Sequence, residues 1–362
     1  MSPKWVAITL KLDITLVIRS KPRVATILYS ESPKMMQKNS VFTRRSLALQ
    51  TCGAVAAASM PWAAWAQEPT LQDQVWQDST RSRAIPALIR WPAQQAKGVV
   101  VFSHGAGGRR EGADVWGKAW ALAGLVVVHL QHAGSDRDAM RGGISSIRKA
   151  VAPEQLLTRV DDIRFALDEI EQLHSAKTER WAELVDRKIG VSGHSFGARS
   201  TQAIAGMDFP KAADWKPQDP RPAAFLAFSP AIGLGSGVIL AQAAASMAAV
   251  TRPFLVVTGS LDGDVLNNGE SPQSRRMVFD SLPAGRKALL WLDGADHFTF
   301  GGAETTIRSN ALFRREPDAV DKEVEHHKLV ARVSTQWWAE QLMDAGPATP
   351  TGLAAADIWQ RG

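Results

Sequence analysis

The chain reads KIGVSGHSFG at residues 188–197, and this stretch decides the fold. A short apolar run leads into a Gly-x-Ser-x-Gly turn centred on Ser195, and a helix-like stretch from Ala198 to Gly206 follows. A strand–turn–helix of this kind is so tight that the residues two before and two after the serine must be small, as Gly193 and Gly197 are. The pattern predicts that the Ser195 hydroxyl is held out at the carboxyl end of a strand, where it can act as a nucleophile.

The rest of the chain alternates strand and helix signals around this turn. Such alternation predicts an α/β fold: a mostly parallel central sheet with helices on both faces, in a single domain over residues 67–362. Continuous apolar runs are typical of buried parallel strands, and an amphipathic helix is expected from Glu154 to Leu173. Predicted strands cover 84–91, 98–103, 125–130, 188–191, 223–228, 253–258 and 287–292, with further helices at 114–123 and 320–342.

A serine hydroxyl needs a base, and histidine is the usual one. His297 follows the last predicted strand directly, in the sequence Gly294-Ala295-Asp296-His297. His194 lies inside the turn and is expected to point away from the Ser195 hydroxyl. His326 and His327 stand in a charged stretch that is interpreted as the solvated start of the last helix. Ligands of such sheets bind beyond the carboxyl ends of the strands, so His297 is the predicted base.

An acid should orient that base by accepting its second ring N–H. The loop after the strand at 253–258 offers Asp262, which is preferred, and Asp264 as the runner-up. One of the two is expected to be only a turn residue, because Asp-Gly is a turn signal. Asp296, beside the histidine, is a third possibility.

Two backbone N–H groups should stabilise the oxyanion that forms on the substrate. Phe196 supplies one, because it follows the nucleophile at the start of a helix. The second is expected from the glycine-rich loop after the strand at 98–103, where Ala106 is favoured and Gly107 comes next.

The first 66 residues are predicted to be an export signal. Arg44 and Arg45 precede an uncharged stretch that ends in Ala64-Trp65-Ala66, which suggests twin-arginine export, cleavage near Ala66 and a periplasmic or secreted protein. An uncleaved membrane anchor and a lipid anchor at Cys52 are the alternatives. Residues 1–34 precede Met35 and Met36. Translation is expected to begin at these methionines, which would make residues 1–34 an over-extension of the gene's assigned start.

Removing this segment changes the charge argument. The chain has 42 Lys/Arg and 36 Asp/Glu, but residues 1–66 hold nine of the bases and two of the acids, so residues 67–362 have a net charge of −1. The basic pI is therefore no indication of a nucleic-acid partner. The only cysteine, Cys52, would leave with the signal, so no disulfide and no thiolate metal site is expected.

These motifs together resemble the α/β-hydrolase superfamily. The fragments W-x-D-x-x-R-x-R-x-I-P at 76–86 and VFSHGAG at 101–107, with the turn and the His297 loop, are similar to dienelactone-hydrolase-like proteins and platelet-activating-factor acetylhydrolase-like esterases. The resemblance implies a Ser-His-Asp hydrolase without cofactor or metal. Dienelactone hydrolases carry cysteine where this chain has Ser195. The acetylhydrolases carry their acid where this chain reads Phe228-Ser229-Pro230.

The expected activity is cleavage of a small-molecule or lipid-like carboxylic ester through an acyl-enzyme. A peptidase of the prolyl-oligopeptidase type and a catalytically silent binding protein on the same scaffold are the alternatives. The long apolar stretch at 231–250 is expected to be a buried helix, or else a cap or acyl pocket.

Overall fold

The structure is a computed structural model that describes residues 5–10, 14–21, 24–28, 68–141, 144–185, 188–208, 215–232, 240–265, 269–304 and 314–362. The chain divides into two compact units, Met1–Trp62 and Ala63–Gly362. In the first unit, β1 (Trp5–Leu10), β2 (Ile14–Lys21) and β3 (Val24–Leu28) form an antiparallel sheet. The part of the predicted export signal that holds Arg44, Arg45, Cys52 and Ala66 lies outside the described residues.

The second unit is built on one nine-stranded sheet. Its elements are β4 (Thr70–Asp78), β5 (Arg83–Trp91), β6 (Gly98–Ser103), α1 (Asp114–Leu122), β7 (Leu125–Leu130), α2 (Ile144–Ala150), α3 (Pro153–Ser175), β8 (Ile189–His194), α4 (Phe196–Ala205), β9 (Ala224–Phe228), α5 (Leu240–Met247), β10 (Phe254–Leu261), α6 (Pro272–Ser281), β11 (Lys287–Asp296), α7 (Pro317–Leu342) and β12 (Ile358–Arg361), with 3-10 turns at Glu179–Glu183 and Thr299–Gly301.

The strand order is β12-β11-β10-β9-β8-β6-β7-β5-β4. The six strands from β7 to β11 in this order run parallel, and β12, β5 and β4 are antiparallel additions at the edges. The mostly parallel sheet predicted from the sequence is confirmed.

Both faces of the sheet are covered by helices because its central strands are apolar on both sides. In β6, Val99 and Val101 belong to one core cluster, together with buried side chains of α3, α4, α5 and α6. Val100 and Phe102 belong to the other, with side chains of α1 and α7. A continuous apolar run is what a strand buried on both faces requires.

The stretch 231–250 resolves into a core helix over its described part. Helix α5 begins at Leu240, and its Ala243 and Met247 are fully buried in the cluster beneath α3 and α4. The expectation of a buried helix is met on this face only, because Ala241, Ala244 and Ala245 are exposed, and residues 233–239 lie outside the described part of the chain.

Candidate active site

The turn at Ser195 has the backbone that the sequence predicts. Strand β8 ends at His194, α4 begins at Phe196, and Ser195 between them has φ 56° and ψ −114°. A positive φ is unfavourable for a residue with a side chain, and such strain is found where function requires it. A Cβ on Gly193 would come within 2.8 Å of the main-chain carbonyl oxygen of Ser103. A Cβ on Gly197 would come within 2.6 Å of the carbonyl carbon of the same residue, so glycine is required at both positions.

Ser195, His297 and Asp262 form one hydrogen-bonded chain. The Ser195 Oγ lies 2.9 Å from His297 Nε2, and His297 Nδ1 lies 2.9 Å from Asp262 Oδ1. With the ring proton on Nδ1 facing the carboxylate, Nε2 is free to accept the hydroxyl proton. The three residues follow the carboxyl ends of β8, β11 and β10. Ser195 is half-buried, whereas Asp262 is completely enclosed.

Arg275 keeps the buried Asp262 ionised. Burial acts to raise the pKa of Asp262, but the Arg275 cation and the hydrogen bond from His297 outweigh it and lower that pKa to about 2. The Arg275 Nε lies 2.8 Å from Asp262 Oδ1, and Thr258 donates to Oδ2 at 2.8 Å. The carboxylate is thereby fixed in orientation, and a permanent negative charge stands behind the imidazole.

The pKa of His297 is lowered from 6.5, first by burial and then by the Arg275 cation, although Asp262 acts in the opposite direction. A neutral imidazole at pH 7 is the form that can take a proton from a serine. The geometry and the protonation state therefore suit the same role.

The two other candidate acids have different partners. Asp264 is exposed and accepts the Gly269 N–H at 2.6 Å. Asp296 is held by the buried Arg315, whose Nε and Nη2 reach its two carboxylate oxygens at 2.8 and 2.9 Å. The structure brings only Asp262, of these three, to the histidine ring.

The remaining histidines near the site have structural partners. His194 Nε2 donates to the His297 carbonyl at 3.0 Å, so its ring faces away from the hydroxyl as expected. The interpretation of His326 and His327 as solvated was wrong: α7 begins at Pro317, His326 is buried, and His327 Nε2 donates to the Thr299 carbonyl at 2.9 Å. His326 shares a helix face with Leu329, Val330 and Val333, and that periodicity places it inward.

The expected oxyanion donors lie around Ser195. Phe196 is the first residue of α4, so its N–H has no acceptor within the helix. A Cβ on Gly105 would stand 3.3 Å from the Ser195 Cβ, which puts the loop containing Ala106 directly beside the nucleophile. The Gly107 N–H donates to the Ser135 carbonyl at 3.0 Å, whereas within the described residues the Ala106 N–H makes no hydrogen bond. Of the two loop amides, Ala106 is thus the one available to a substrate.

The chain has the α/β-hydrolase fold. This follows from the order of its parallel strands, the antiparallel strands at one edge, and the nucleophile turn between β8 and α4. No family model and no curated protein matches the sequence. Among solved structures, the chain is similar to the crystal structure of dienelactone hydrolase from Anabaena variabilis, with 17% identity, 75% of this chain and 99% of that chain covered, and a TM-score of 0.47.

A second Ser-His-Asp set, which sequence reasoning missed, lies beside the first. The Ser103 Oγ is 2.9 Å from His132 Nε2, and His132 Nδ1 is 3.0 Å from Asp162 Oδ2. All three residues are fully buried. Arg81 and Arg83, from the fragment at 76–86 that carried the resemblance, donate to the Asp162 carboxylate at 2.7–2.9 Å. These two arginines, which stand near the start of the domain, therefore stabilise the buried Asp162 carboxylate on α3.

Neither a metal centre nor a membrane span is found in the part of the chain described. No three of its His, Cys, Asp and Glu side chains come close enough together to hold an ion. None of its helices has the length and apolarity needed to cross a bilayer.

Proposed function

We propose that this chain is a serine hydrolase that cleaves carboxylic esters through an acyl-enzyme. The observation that carries the proposal is the unbroken chain of two 2.9 Å hydrogen bonds from a half-buried, backbone-strained Ser195 through His297 to Asp262. The positive φ turns Ser195 out of the strand that precedes it, and the buried carboxylate fixes the orientation of the His297 ring.

In the proposed reaction, the Ser195 Oγ attacks the ester carbonyl carbon while its proton passes to His297 Nε2. The carbonyl electron pair moves onto oxygen, and the N–H groups of Phe196 and Ala106 stabilise the resulting oxyanion. Collapse of the tetrahedral adduct breaks the bond to the alcohol, which leaves with the proton from Nε2. Water, deprotonated by His297, then attacks the acyl-enzyme, and the second collapse releases the acid and returns the proton to Ser195.

Asp262 stays ionised throughout. It fixes the Nδ1 tautomer of His297 and stabilises the imidazolium that exists between the proton transfers. The low pKa of Asp262 supports this role, because a carboxyl group with a pKa of about 2 does not take the proton at neutral pH.

The proposal is tested by labelling and by a matched pair of serine variants. A fluorophosphonate probe should modify Ser195, and Ser195→Ala should abolish p-nitrophenyl butyrate hydrolysis. Ser192→Ala is the control, because this serine lies three residues earlier, is fully buried and has no hydrogen-bond partner for its hydroxyl among the described residues. Labelling at another residue, or activity retained in Ser195→Ala, would refute the assignment. A series of esters from acetate to decanoate then defines the acyl length, and a chain that cleaves aminoacyl amides but not esters would be a peptidase instead.

We also propose that residues 1–66 direct export and that residues 67–362 form the mature domain. Support comes from the arginine pair, the uncharged stretch and the small-x-small ending at Ala66. Amino-terminal sequencing of the protein recovered from the periplasm or medium should begin near Gln67. A protein that stays in the cytoplasm with its first 66 residues intact would contradict this.

A further inference from the structure

Arg159 is a completely buried cation that makes no direct ion pair among the described residues, although Asp162 and Asp136 lie near enough to favour its charged form. It lies on α3 with 0% of its surface exposed, and within the described residues no carboxylate oxygen is within ion-pair distance of it. Burial lowers its pKa to about 9, so it remains charged at neutral pH. Burying an unpaired charge is costly, so the groups that compensate Arg159 indicate what it is used for.

Those groups belong to two loops, the one after β6 that lies beside Ser195 and the one after β7 that contains Ser135. Arg159 Nη1 donates to the His104 carbonyl at 2.6 Å, and Nη2 approaches the carbonyls of Gly105 and Ser135 at 3.4 Å. Arg159 Nε donates to the Ser135 hydroxyl at 2.7 Å. Since the Ser135 carbonyl in turn accepts the Gly107 N–H, one guanidinium connects the two loops.

These bonds fix the direction of the Ala106 N–H. In a trans peptide the C=O and the following N–H point to opposite sides. The Gly105 carbonyl faces inward, where His104 Nδ1 donates to it at 2.6 Å and Gly108 N–H at 3.0 Å, in addition to the Arg159 contact. The Ala106 N–H of the same peptide therefore points away from Arg159 and His104.

The same guanidinium contacts the residue that supplies the other donor. The Arg159 Cζ lies 4.6 Å from the centre of the Phe196 ring. A cation over an aromatic face is attracted to it, and the attraction is larger when both groups are desolvated. Arg159 is thus in contact with both elements that present N–H groups to a substrate oxygen.

The buried Ser103-His132-Asp162 set gives Arg159 its place. Ser103 Oγ, which bonds to His132 Nε2, also lies 3.3 Å from Arg159 Nη1. Asp162 accepts a hydrogen bond from His132 Nδ1, so His132 Nε2 is unprotonated and accepts a hydrogen bond from the Ser103 hydroxyl. The Ser103 oxygen is then free to accept a hydrogen bond from Arg159.

We propose that Arg159 is the positioning residue of the oxyanion hole, holding the Ala106 and Phe196 amides at the spacing that a tetrahedral oxyanion needs. This inference rests on the proposed esterase function. The fixed positive charge behind the two amides adds to the potential that stabilises the oxyanion, and this benefit exists only after the oxygen becomes negative.

The test compares Arg159→Met and Arg159→Lys with Arg90→Met as the control. Arg90 is also a buried arginine, but it lies on β5 and forms an ion pair with Asp114, the first residue of α1. Losing an oxyanion donor costs about 100- to 1000-fold in kcat, and misplacing one should cost about 10- to 100-fold. We expect Arg159→Met to lose that factor in kcat with KM within about threefold, and Arg159→Lys to lose less. Arg90→Met should lower the melting temperature while keeping kcat within about threefold.

Inhibition by butylboronic acid separates positioning from a merely structural role. Its tetrahedral adduct on Ser195 places an oxygen in the same hole, so its inhibition constant should rise in Arg159→Met by about the factor that kcat falls. Unchanged kcat, or reduced kcat with unchanged boronate affinity, would overturn the proposal. If Arg159→Met does not fold, the same comparison on Arg159→Lys decides. A wild-type protein inert towards both esters and boronate refutes the proposed function itself and this role with it, whereas an active wild type with an unaffected Arg159→Met refutes only the positioning role.

Discussion

Replacing Asp262 with asparagine separates the charge of this residue from its role as a hydrogen-bond acceptor. Its Oδ1 accepts from His297 Nδ1 and faces Arg275 Nε, and its Oδ2 accepts from the Thr258 hydroxyl. An asparagine cannot turn its NH₂ towards Arg275, because both groups are donors. Its oxygen must then face His297, while its NH₂ faces the Thr258 hydroxyl, which can rotate to accept. The reactive tautomer of His297 is therefore kept.

The expected loss follows from this orientation. A hydrogen bond to a charged group is worth about 1.5–3 kcal/mol against about 0.5–1.5 for a neutral one, and the imidazolium also loses its neighbouring anion. A barrier raised by about 2–3 kcal/mol corresponds to about 30- to 150-fold in kcat. Asp262→Ala leaves Nδ1 without its acceptor and releases the tautomer, which costs about 10⁴-fold in serine hydrolases.

The assay is p-nitrophenyl butyrate turnover at 20 °C, below the reduced melting temperature expected when Arg275 loses its anion. Asp264→Asn is the matched control, because Asp264 is exposed and two residues away, and it should stay within about threefold of wild type. Losses of equal size in Asp262→Asn and Asp262→Ala would refute the reasoning, since they would mean that Arg275 and Thr258 do not orient the amide.

Two further outcomes are expected. Because burial and Arg275 lower the pKa of His297 from 6.5, and activity needs the neutral ring, kcat/KM should fall with decreasing pH only below pH 6.5; a pH-stat titration checks this, and an acid limb at or above 6.5 would contradict it. Gly197→Ala would drive a methyl group into the Ser103 backbone, so we expect little soluble protein or a large fall in melting temperature by differential scanning fluorimetry, whereas a normally stable variant would show that β6 and α4 can separate.

The sequence predicts the centre of the sheet far better than its edges. Strands β6 and β7 appear as continuous apolar runs because both of their faces are buried, and their predicted bounds match the structure. Strand β4 alternates polar and apolar residues with most of its surface exposed, and β12 has four residues, so neither gives a burial signal. Strand β11 continues past Leu292 to Asp296, because the Asp293-Gly294 turn signal is accommodated within the strand, with Gly294 at φ 80°.

The candidate site divides in the same way. Ser195 and His297 stand in local motifs, and chain order selects the acid, so the three residues that the structure brings together could be named in advance. Arg159 could not be. It is one of two arginines in an ordinary amphipathic helix, and such a residue is expected in solvent unless its partners are known. Its partners are backbone carbonyls of a loop more than 50 positions away, and a carbonyl carries no sequence signal.

The two Ser-His-Asp sets show why distances alone do not define a catalytic triad. Ser103, His132 and Asp162 match the other set to within 0.1 Å in both hydrogen bonds. Ser103, however, lies within a regular strand and is fully buried, and its hydroxyl is already shared between His132 and Arg159. None of its surface is exposed to a substrate.

Ser195 differs in the two features that a nucleophile requires. Its positive φ lifts the hydroxyl out of the strand, and its position before α4 places next to it the Phe196 N–H, which makes no hydrogen bond within the described residues. The buried Ser103-His132-Asp162 set supports the Ser195 site through Arg159. This arginine bonds to Ser103 on one side and to the His104 carbonyl, in the loop beside Ser195, on the other. His132 contacts no reacting atom, but its substitution should loosen Ser103 and, through Ser103, Arg159. We therefore expect a His132 variant to have a lower kcat for p-nitrophenyl butyrate.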